Sequence, residues 1–319
     1  MGAKLKRLDE RITLIDGFDL GLANRTGSYV INEEELTIVE TGPSMSVPHI
    51  LEGLKELNLH PQDVKYIIVT HIHLDHAGGA GLLLNDCPNA RVVVHPRGAK
   101  HLVDPARLIQ GAKLVYGEDF DRLFEPVVPI PENRIIIKND KETLTVGKNC
   151  TLTFYDTPGH SYHHFSIYDP VSNGIFTGDT IGVSYDESLK DVGIQLYLPS
   201  TSPNQFNPDD MLRSLERIQR LHVSKIYFGH FAESEHVDEV YKQIKQWLPQ
   251  FVKVGKEAMD TQPGSVQKEV TKNLYQLIKN ELRNHGVPDD HPVYEFIKLD
   301  TSVCAMGLFD YFQKQQKNR

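Results

Sequence analysis

The stretch Thr70-His71-Ile72-His73-Leu74-Asp75-His76-Ala77-Gly78-Gly79 decides how this sequence is interpreted. It begins at the last residue of Tyr66–Thr70, an uninterrupted apolar run of the kind expected for a strand buried on both faces. Four side chains able to bind a metal lie within six residues of the chain: His71, His73, Asp75 and His76. Imidazole nitrogens and a carboxylate suit zinc, and also iron or manganese. The spacing therefore predicts a metal site on a loop that leaves a strand.

Three later positions share this context, because each lies just beyond a predicted strand. His160 is the last residue of Asp156-Thr157-Pro158-Gly159-His160, Asp179 is the last residue of Thr177-Gly178-Asp179, and His230 follows Phe228-Gly229. The small residues before each candidate let the backbone approach a crowded centre. Each position is a weak signal alone. Together they indicate His160, Asp179 and His230 as the remaining ligands of a pair of metals.

The rest of the chain predicts an α/β frame for these loops, with helices outside the sheets. The predicted strands are Ile12–Asp16, Ser28–Ile31, Leu36–Glu40, Tyr66–Thr70, Arg91–His95, Arg134–Ile137, Thr143–Val146, Leu152–Asp156, Phe165–Tyr168, Ile175–Thr177 and Lys225–Phe228. The predicted helices are His49–Leu57, Gly78–Asn85, most of Arg97–Gly117, and one that begins after a cap at Asn207. This order predicts two αβ halves that face one another.

The chain beyond Ser234 has a different, helical pattern. Two apolar stripes, from Val237 to Leu248 and from Val266 to Leu282, are separated by Pro263-Gly264, and a short helix is predicted within Asp300–Arg319. We expect a catalytic domain over residues 1–233 and a helical extension over residues 234–319. The extension is expected to narrow the substrate entrance and to contribute to a homodimer, although simple packing on its own domain would also bury the stripes.

Composition excludes several classes of function. The 319 residues include 34 Lys+Arg and 43 Asp+Glu, a formal charge of −9, which disfavours nucleic acid as a partner. No apolar run approaches the roughly 20 residues that span a bilayer, and the first ten residues lack an apolar signal core. Three scattered cysteines argue for a reducing compartment. We expect a cytoplasmic protein that acts on a small molecule and binds no membrane.

The ligand motifs together resemble the metallo-β-lactamase-fold superfamily, and the resemblance covers roughly Ile12 to Phe231 with the motifs in the right order. It implies a four-layer αβ/βα sandwich with two divalent metals at one edge, zinc favoured over iron or manganese. In this pattern the first metal is held by His71, His73 and His160, and the second by Asp75, His76 and His230. Asp179 bridges the two metals, and Asp75 also passes a proton to the leaving group.

Positions that differ from the family pattern indicate which branches of the superfamily this sequence resembles. Asp179 stands where many β-lactamases carry a Cys ligand, and His73 stands where flavo-diiron oxygen reductases carry Glu. The lactonase and glyoxalase II branches fit better, so we expect a metal-dependent hydrolase of a small lactone or thioester. The lactonase tyrosine three residues beyond the bridging Asp is replaced by Gly182, and Tyr185 is a candidate substitute. The basic residues with which glyoxalase II binds glutathione are not found.

His163 and His164 follow the ligand candidate His160 and allow two interpretations. Either they pack beside the site as neutral, hydrogen-bonded side chains, or one of them supports a ligand or touches substrate. The activity also has alternatives on the same fold, namely a mononuclear iron persulfide dioxygenase and a phosphodiesterase. The complete ligand set disfavours a binding protein without catalysis. Metal content distinguishes the dioxygenase from the hydrolase.

Overall fold

The computed structural model describes residues 3–261 and 266–317, which form two compact units. The first, termed the sandwich unit, comprises the residues up to Asp156, His163–Gly178 and Val223–Glu235. The second, termed the helical unit, comprises Thr157–Tyr162, Asp179–His222 and the residues from His236 onward. The predicted turn at Pro263-Gly264 and the last two residues of the predicted tail lie outside the described residues.

The sandwich unit contains a seven-stranded sheet whose strands follow chain order. Its strands are β1 (Leu5–Arg7), β2 (Ile12–Asp16), β3 (Gly27–Ile31), β4 (Thr37–Val39), β5 (Tyr66–Ile68), β6 (Arg91–Val94) and β7 (Ile135–Ile137). Pairing is antiparallel from β1 to β4 and parallel from β4 to β7. The parallel half brings the carboxyl ends of β4 and β5 to the same edge of the sheet.

A six-stranded sheet completes the sandwich unit, in the order β15-β14-β11-β10-β9-β8. Chain order gives β8 (Thr143–Gly147), β9 (Cys150–Asp156), β10 (Phe165–Asp169), β11 (Gly174–Gly178), β12 (Val183–Ser184), β13 (Tyr197–Leu198), β14 (Lys225–Phe228) and β15 (Glu233–Ser234). Only β11 and β14 pair in parallel within this sheet. Strands β12 and β13 form a separate two-stranded sheet in the helical unit.

Side chains of both large sheets share one apolar core. Leu14 and Ile68 of the first sheet belong to the same buried cluster as Phe154, Phe176 and Tyr227 of the second. The opposite face of the first sheet is covered by helices, where Ile38 and Ile67 pack with residues such as Ile50. Burial on both faces explains why the central strands are apolar runs rather than alternating patterns.

Ten α-helices occur within the described residues. They are α1 (Val47–Glu56), α2 (Leu74–Ala77), α3 (Ala80–Leu83), α4 (Pro96–Val103), α5 (Ala106–Tyr116), α6 (Phe120–Phe124), α7 (Pro208–Gln219), α8 (Val237–Thr261), α9 (Val266–Asn284) and α10 (Val293–Lys317). The predicted cap of α7 is confirmed, because the Asn207 side chain accepts hydrogen bonds from the backbone of Asp209 and Asp210. No described helix is long and apolar enough to span a membrane.

The structure confirms the α/β class, the helical C-terminal region and every predicted strand to within two residues at either end. The prediction of a short terminal helix within Asp300–Arg319 is wrong. The observed α10 begins at Val293 and has 25 residues, because the His291 side chain caps its first turn by accepting from the backbone N–H of Val293 at 3.1 Å. Four strands were missed, β1, β12, β13 and β15, since each has only two or three residues.

The three cysteines are buried free thiols. Burial is the main reason that the pKa of Cys87, Cys150 and Cys304 rises to about 12. At pH 8 a pKa of about 12 leaves about one thiol in 10⁴ ionised, and the thiolate is the reactive form. Titration with DTNB at pH 8 is therefore expected to find no fast-reacting thiol in the native protein and three after denaturation. One thiol that reacts within seconds in the native protein would contradict this.

Candidate metal centre

The ligand candidates of the sandwich unit follow the ends of parallel strands. Glu40 follows β4, His71 lies three residues beyond β5, and His230 lies two residues beyond β14. Asp75 and His76 lie on helix α2, which begins directly after His73. The carboxyl ends of β4 and β5 lie side by side in the seven-stranded sheet, while His230 follows a strand of the six-stranded sheet.

Asp75, His76 and His230 form one group of converging donor atoms. Nε2 of His76 lies 3.2 Å from Nε2 of His230 and 3.7 Å from Oδ2 of Asp75. Oδ2 of Asp75 lies 3.5 Å from Nε2 of His230. The ligand atoms of a tetrahedral zinc with bonds of about 2.0–2.1 Å are about 3.3 Å apart. The spacing of this group therefore fits a divalent metal without rearrangement of the side chains.

Glu40 fixes the orientation of His76, and sequence reasoning missed it. Its Oε2 is hydrogen-bonded to Nδ1 of His76, and its Oε1 accepts from the backbone N–H of Thr70 at 2.6 Å. A carboxylate only accepts, so Nδ1 of His76 carries the proton and Nε2 is left with a lone pair for a metal. Glu40 is 2% exposed. The available signal was a single charged residue at the end of an apolar strand.

His71 and His73 form the second part of the predicted loop. Nε2 of His71 lies 3.0 Å from Nδ1 of His73, while Nδ1 of His71 lies 3.1 Å from the hydroxyl of Thr70. Thr70 is held in turn by Glu40, so one carboxylate supports both halves of the loop. Two imidazole nitrogens this close fit two ligands of one metal, as the sequence predicts.

His163 and His164 pack against the imidazoles of the ligand loop. The His163 ring is stacked at 6.3 Å from that of His71 and lies edge-on at 5.4 Å from that of His73. The His164 ring is stacked at 5.1 Å from that of His71. Gly178, at a φ of 47°, makes room for this packing, because a Cβ there would lie 2.6 Å from Nε2 of His164. Both histidines are buried beside the ligands, and contact with substrate stays a prediction.

Asp19 is a second buried carboxylate that the sequence did not indicate. It is 1% exposed and accepts from Nε of Arg25 at 3.1 Å. Burial raises the pKa of Asp19, while the charge of Arg25 opposes the rise and the charge of Asp75 adds to it. Its neighbours Phe18 and Leu20 have left-handed backbone conformations, which are unusual for bulky residues and are often found near functional sites.

The turn that carries His230 is tied to the first sheet by Tyr29. The Tyr29 hydroxyl lies 2.6 Å from the backbone oxygen of Phe228 and 2.9 Å from that of Ala232. Ala232 has a φ of 70°. Tyr29 is 1% exposed, so this clamp is shielded from water and holds both ends of the turn.

Replacing Tyr29 with Phe is expected to lower the free energy of unfolding by about 1–3 kcal/mol, because a buried carbonyl loses its donor while the ring packing is kept. Urea denaturation followed by circular dichroism measures the change. Tyr168→Phe is the matched control, since the Tyr168 hydroxyl donates to a side chain, Oδ1 of Asn173, at 3.0 Å and lies in a half-buried position. Equal stabilities of the two variants would show that the clamp contributes nothing.

In the helical unit, Ser200 holds both His160 and Asp179. Nδ1 of His160 donates to the backbone oxygen of Ser200 at 3.0 Å, and the Ser200 hydroxyl donates to Oδ2 of Asp179 at 3.0 Å. Nε2 of His160 lies 3.6 Å from Oδ2 of Asp179. A backbone carbonyl only accepts, so the lone pair of His160 is on Nε2.

Tyr185, the predicted substitute for the lactonase tyrosine, is a buried residue of the helical unit. Its hydroxyl donates to Oδ2 of Asp300 at 2.7 Å. Gly182 has a φ of 94°, and a Cβ there would lie 2.3 Å from the backbone oxygen of Leu198. No side chain fits at position 182 without movement of the backbone, which accounts for a glycine there. Substrate contact by Tyr185 stays a prediction.

Comparison with known proteins identifies the family of the chain. The family model described as the metallo-beta-lactamase superfamily matches residues 24–230. This range contains every predicted metal ligand.

Three relatives show the range of the similarity. A protein of Sulfurisphaera tokodaii described as metallo-beta-lactamase fold-containing protein ST1585 is 27% identical over 206 residues, 63% of this chain and 71% of that one. N-acyl homoserine lactonase AttM of Rhizobium radiobacter is 26% identical over 184 residues, 56% and 63% of the two chains. Glyoxylase B2 of Dictyostelium discoideum is 30% identical over 135 residues, 41% and 39%. The matched part spans less than two thirds of the lactonase and of the glyoxylase.

The solved structure of ST1585 is similar to this chain with a TM-score of 0.66 at 20% identity, over 94% of this chain and 98% of that one. At this identity the similarity establishes the fold alone. The fold class predicted from the sequence is thereby confirmed.

Proposed function

Because the chain belongs to the metallo-β-lactamase superfamily, we propose that it is a metal-dependent hydrolase of a small ester-like substrate, a lactone or a thioester. The observation that carries the proposal is the group of Asp75, His76 and His230, whose donor atoms lie 3.2–3.7 Å apart. The orientation of its central imidazole by a buried carboxylate supports a role in metal binding.

The proposed ligand set is the one that the sequence predicts. His71, His73 and His160 would hold one metal, Asp75, His76 and His230 would hold the other, and Asp179 would be a ligand shared by both. The positions of His160 and Asp179 in this set rest on the sequence pattern and on the donor atoms that Ser200 leaves available. Nitrogen ligands with few carboxylates favour zinc, with iron and manganese as the other candidates.

When bound, divalent metals would supply Lewis acidity and would lower the pKa of coordinated water to about 7. The chain itself supplies the orientation and the proton transfer. Asp75 is 22% exposed, in contrast to the buried His76, so its carboxyl group can be reached by a leaving group. We propose that Asp75 passes the proton to that group. Neutral imidazoles leave the centre positive, which favours a developing oxyanion.

Two kinds of evidence support the proposed substrate class, namely the residue at position 179 and the names of two relatives of the chain. A lactonase and a protein named a glyoxylase are among the relatives, and no Cys replaces the bridging Asp179. A lactone or thioester is therefore favoured over a β-lactam. Gly182 cannot carry the tyrosine of lactonases, so leaving-group contacts would come from other residues of this chain.

Metal analysis followed by a substrate panel tests the proposal. We expect close to two metals per chain by mass spectrometry, and turnover of at least one lactone or thioester that is lost with a chelator and restored by zinc. One iron per chain with oxygen consumption on a persulfide would overturn it in favour of the dioxygenase. Turnover confined to phosphodiesters would select the phosphodiesterase of the same fold.

The remaining expectations stay predictions. They are the division into residues 1–233 and 234–319, a lid and homodimer role for the C-terminal helices, a small-molecule substrate, and a cytoplasmic location. Light scattering of the purified full chain tests the dimer.

A further inference from the structure

One face of helix α10 contacts residues of the segment 185–206. The residues on this face recur every three or four positions, as expected for one side of a helix. They are Asp300, Cys304, Gly307, Tyr311 and Lys314. Asp300 accepts from the Tyr185 hydroxyl, the Tyr311 ring lies 5.8 Å from that of Phe206, and Lys314 donates to the backbone oxygen of Asn204. The contact extends over about four turns of the helix.

The centre of this contact is the segment Pro199–Ser202, which includes Ser200. The Thr201 hydroxyl donates to the backbone oxygen of Cys304 at 2.7 Å, and the Cys304 thiol donates to the backbone oxygen of Pro199 at 3.7 Å. Hydrogen bonds from α10 therefore flank Ser200 on both sides.

Gly307 allows the helix and the segment to meet. A Cβ on Gly307 would lie 2.3 Å from the backbone oxygen of Ser202 and 2.8 Å from the Thr201 hydroxyl. Cβ atoms essentially never approach backbone so closely, so any side chain at position 307 has to displace Thr201 and Ser202. The hydrogen bonds of Ser200 to His160 and Asp179 are both 3.0 Å long, and a shift of several tenths of an ångström would weaken them.

We propose that helix α10 positions the ligands His160 and Asp179 through Pro199–Ser202, with Gly307 and Thr201 as the positioning residues. The inference rests on the proposed function in taking His160 and Asp179 as metal ligands. It gives the C-terminal region a role other than a lid: this helix sets the metal affinity of the centre. Outer contacts of this kind typically change metal affinity by about 10–100-fold.

The test is the zinc affinity of the full-length chain, measured by competition with a chromophoric chelator. Gly307→Ala and Thr201→Val are expected to bind zinc at least about tenfold more weakly than the parent. Thr201→Val keeps the branched shape of the side chain and replaces the hydroxyl that donates to Cys304 with a methyl group. Ser200→Ala is expected to behave in the same way, while Ser200→Thr, which keeps a hydroxyl, restores most of the affinity.

Gly255→Ala is the matched control. Gly255 on helix α8 also contacts α10, and a Cβ there would lie 2.9 Å from the ring of Phe312, a side chain that can move, and 3.1 Å from Cβ of Leu308. This variant disturbs the packing of the same helix without touching Ser200, so its zinc affinity is expected to stay within about threefold of the parent even if its melting temperature falls. Affinity that tracks melting temperature across all variants would overturn the proposal.

Two further outcomes separate this inference from the proposed function. If Asp179→Ala binds two zinc ions as tightly as the parent, the ligand set is wrong. If Asp179→Ala loses zinc while Gly307→Ala and Thr201→Val keep parental affinity, the ligand set holds and the role of α10 is refuted. If Gly307→Ala does not fold, the zinc affinity of Thr201→Val alone tests whether α10 positions the ligands.

Discussion

Replacing His76 with alanine is expected to remove one of the two metals and to lower kcat/KM by at least about 100-fold. The side chain supplies a donor atom 3.2 Å from that of His230 and 3.7 Å from that of Asp75. Loss of an outer partner alone costs about 10–100-fold, and loss of the ligand itself exceeds that. Metal content by mass spectrometry and initial rates on the best substrate of the panel measure both effects.

The control for His76→Ala is His60→Ala. His60 is exposed, and its side chain makes no cap at the 3-10 turn that follows it. This variant is expected to keep two metals and parental rates. His76→Ala is also expected to lower the melting temperature, because metal binding to the native state contributes to its stability. Two metals and full turnover in His76→Ala would refute the assignment of this group as a ligand set.

The ligand loop could be predicted because its signal is local. Four donor side chains within six residues have few interpretations other than a metal site, and the buried strand before them gives their position on the sheet. The strands were predictable for the same reason, since burial on both faces requires continuous apolar runs such as 92–94, three buried valines.

Residues that act through contacts distant in sequence could not be predicted. Glu40 meets His76 across 36 residues, and Ser200 meets His160 across 40. A single Glu at a strand end, or a single Ser in a loop, has the same local pattern whether it orients a ligand or faces water. The length of α10 was underestimated because its start depends on the cap that His291 supplies.

The second large effect is expected at Glu40. Glu40→Ala removes the acceptor of two buried donors, Nδ1 of His76 and the backbone N–H of Thr70. Each donor left without a partner costs about 1–3 kcal/mol of stability. His76 also loses the bond that keeps its lone pair on Nε2, so zinc affinity is expected to fall by about 10–100-fold.

Glu40→Gln separates charge and orientation from simple packing. The amide has nearly the same volume, and its oxygen can accept from only one side while its NH₂ group donates. It can satisfy Thr70 or His76 but not both in the native arrangement. We therefore expect Glu40→Gln to lie between the parent and Glu40→Ala in both unfolding free energy and zinc affinity. Parental zinc affinity in Glu40→Gln and Glu40→Ala alike would mean that Glu40 supports the fold and has no part in orienting His76.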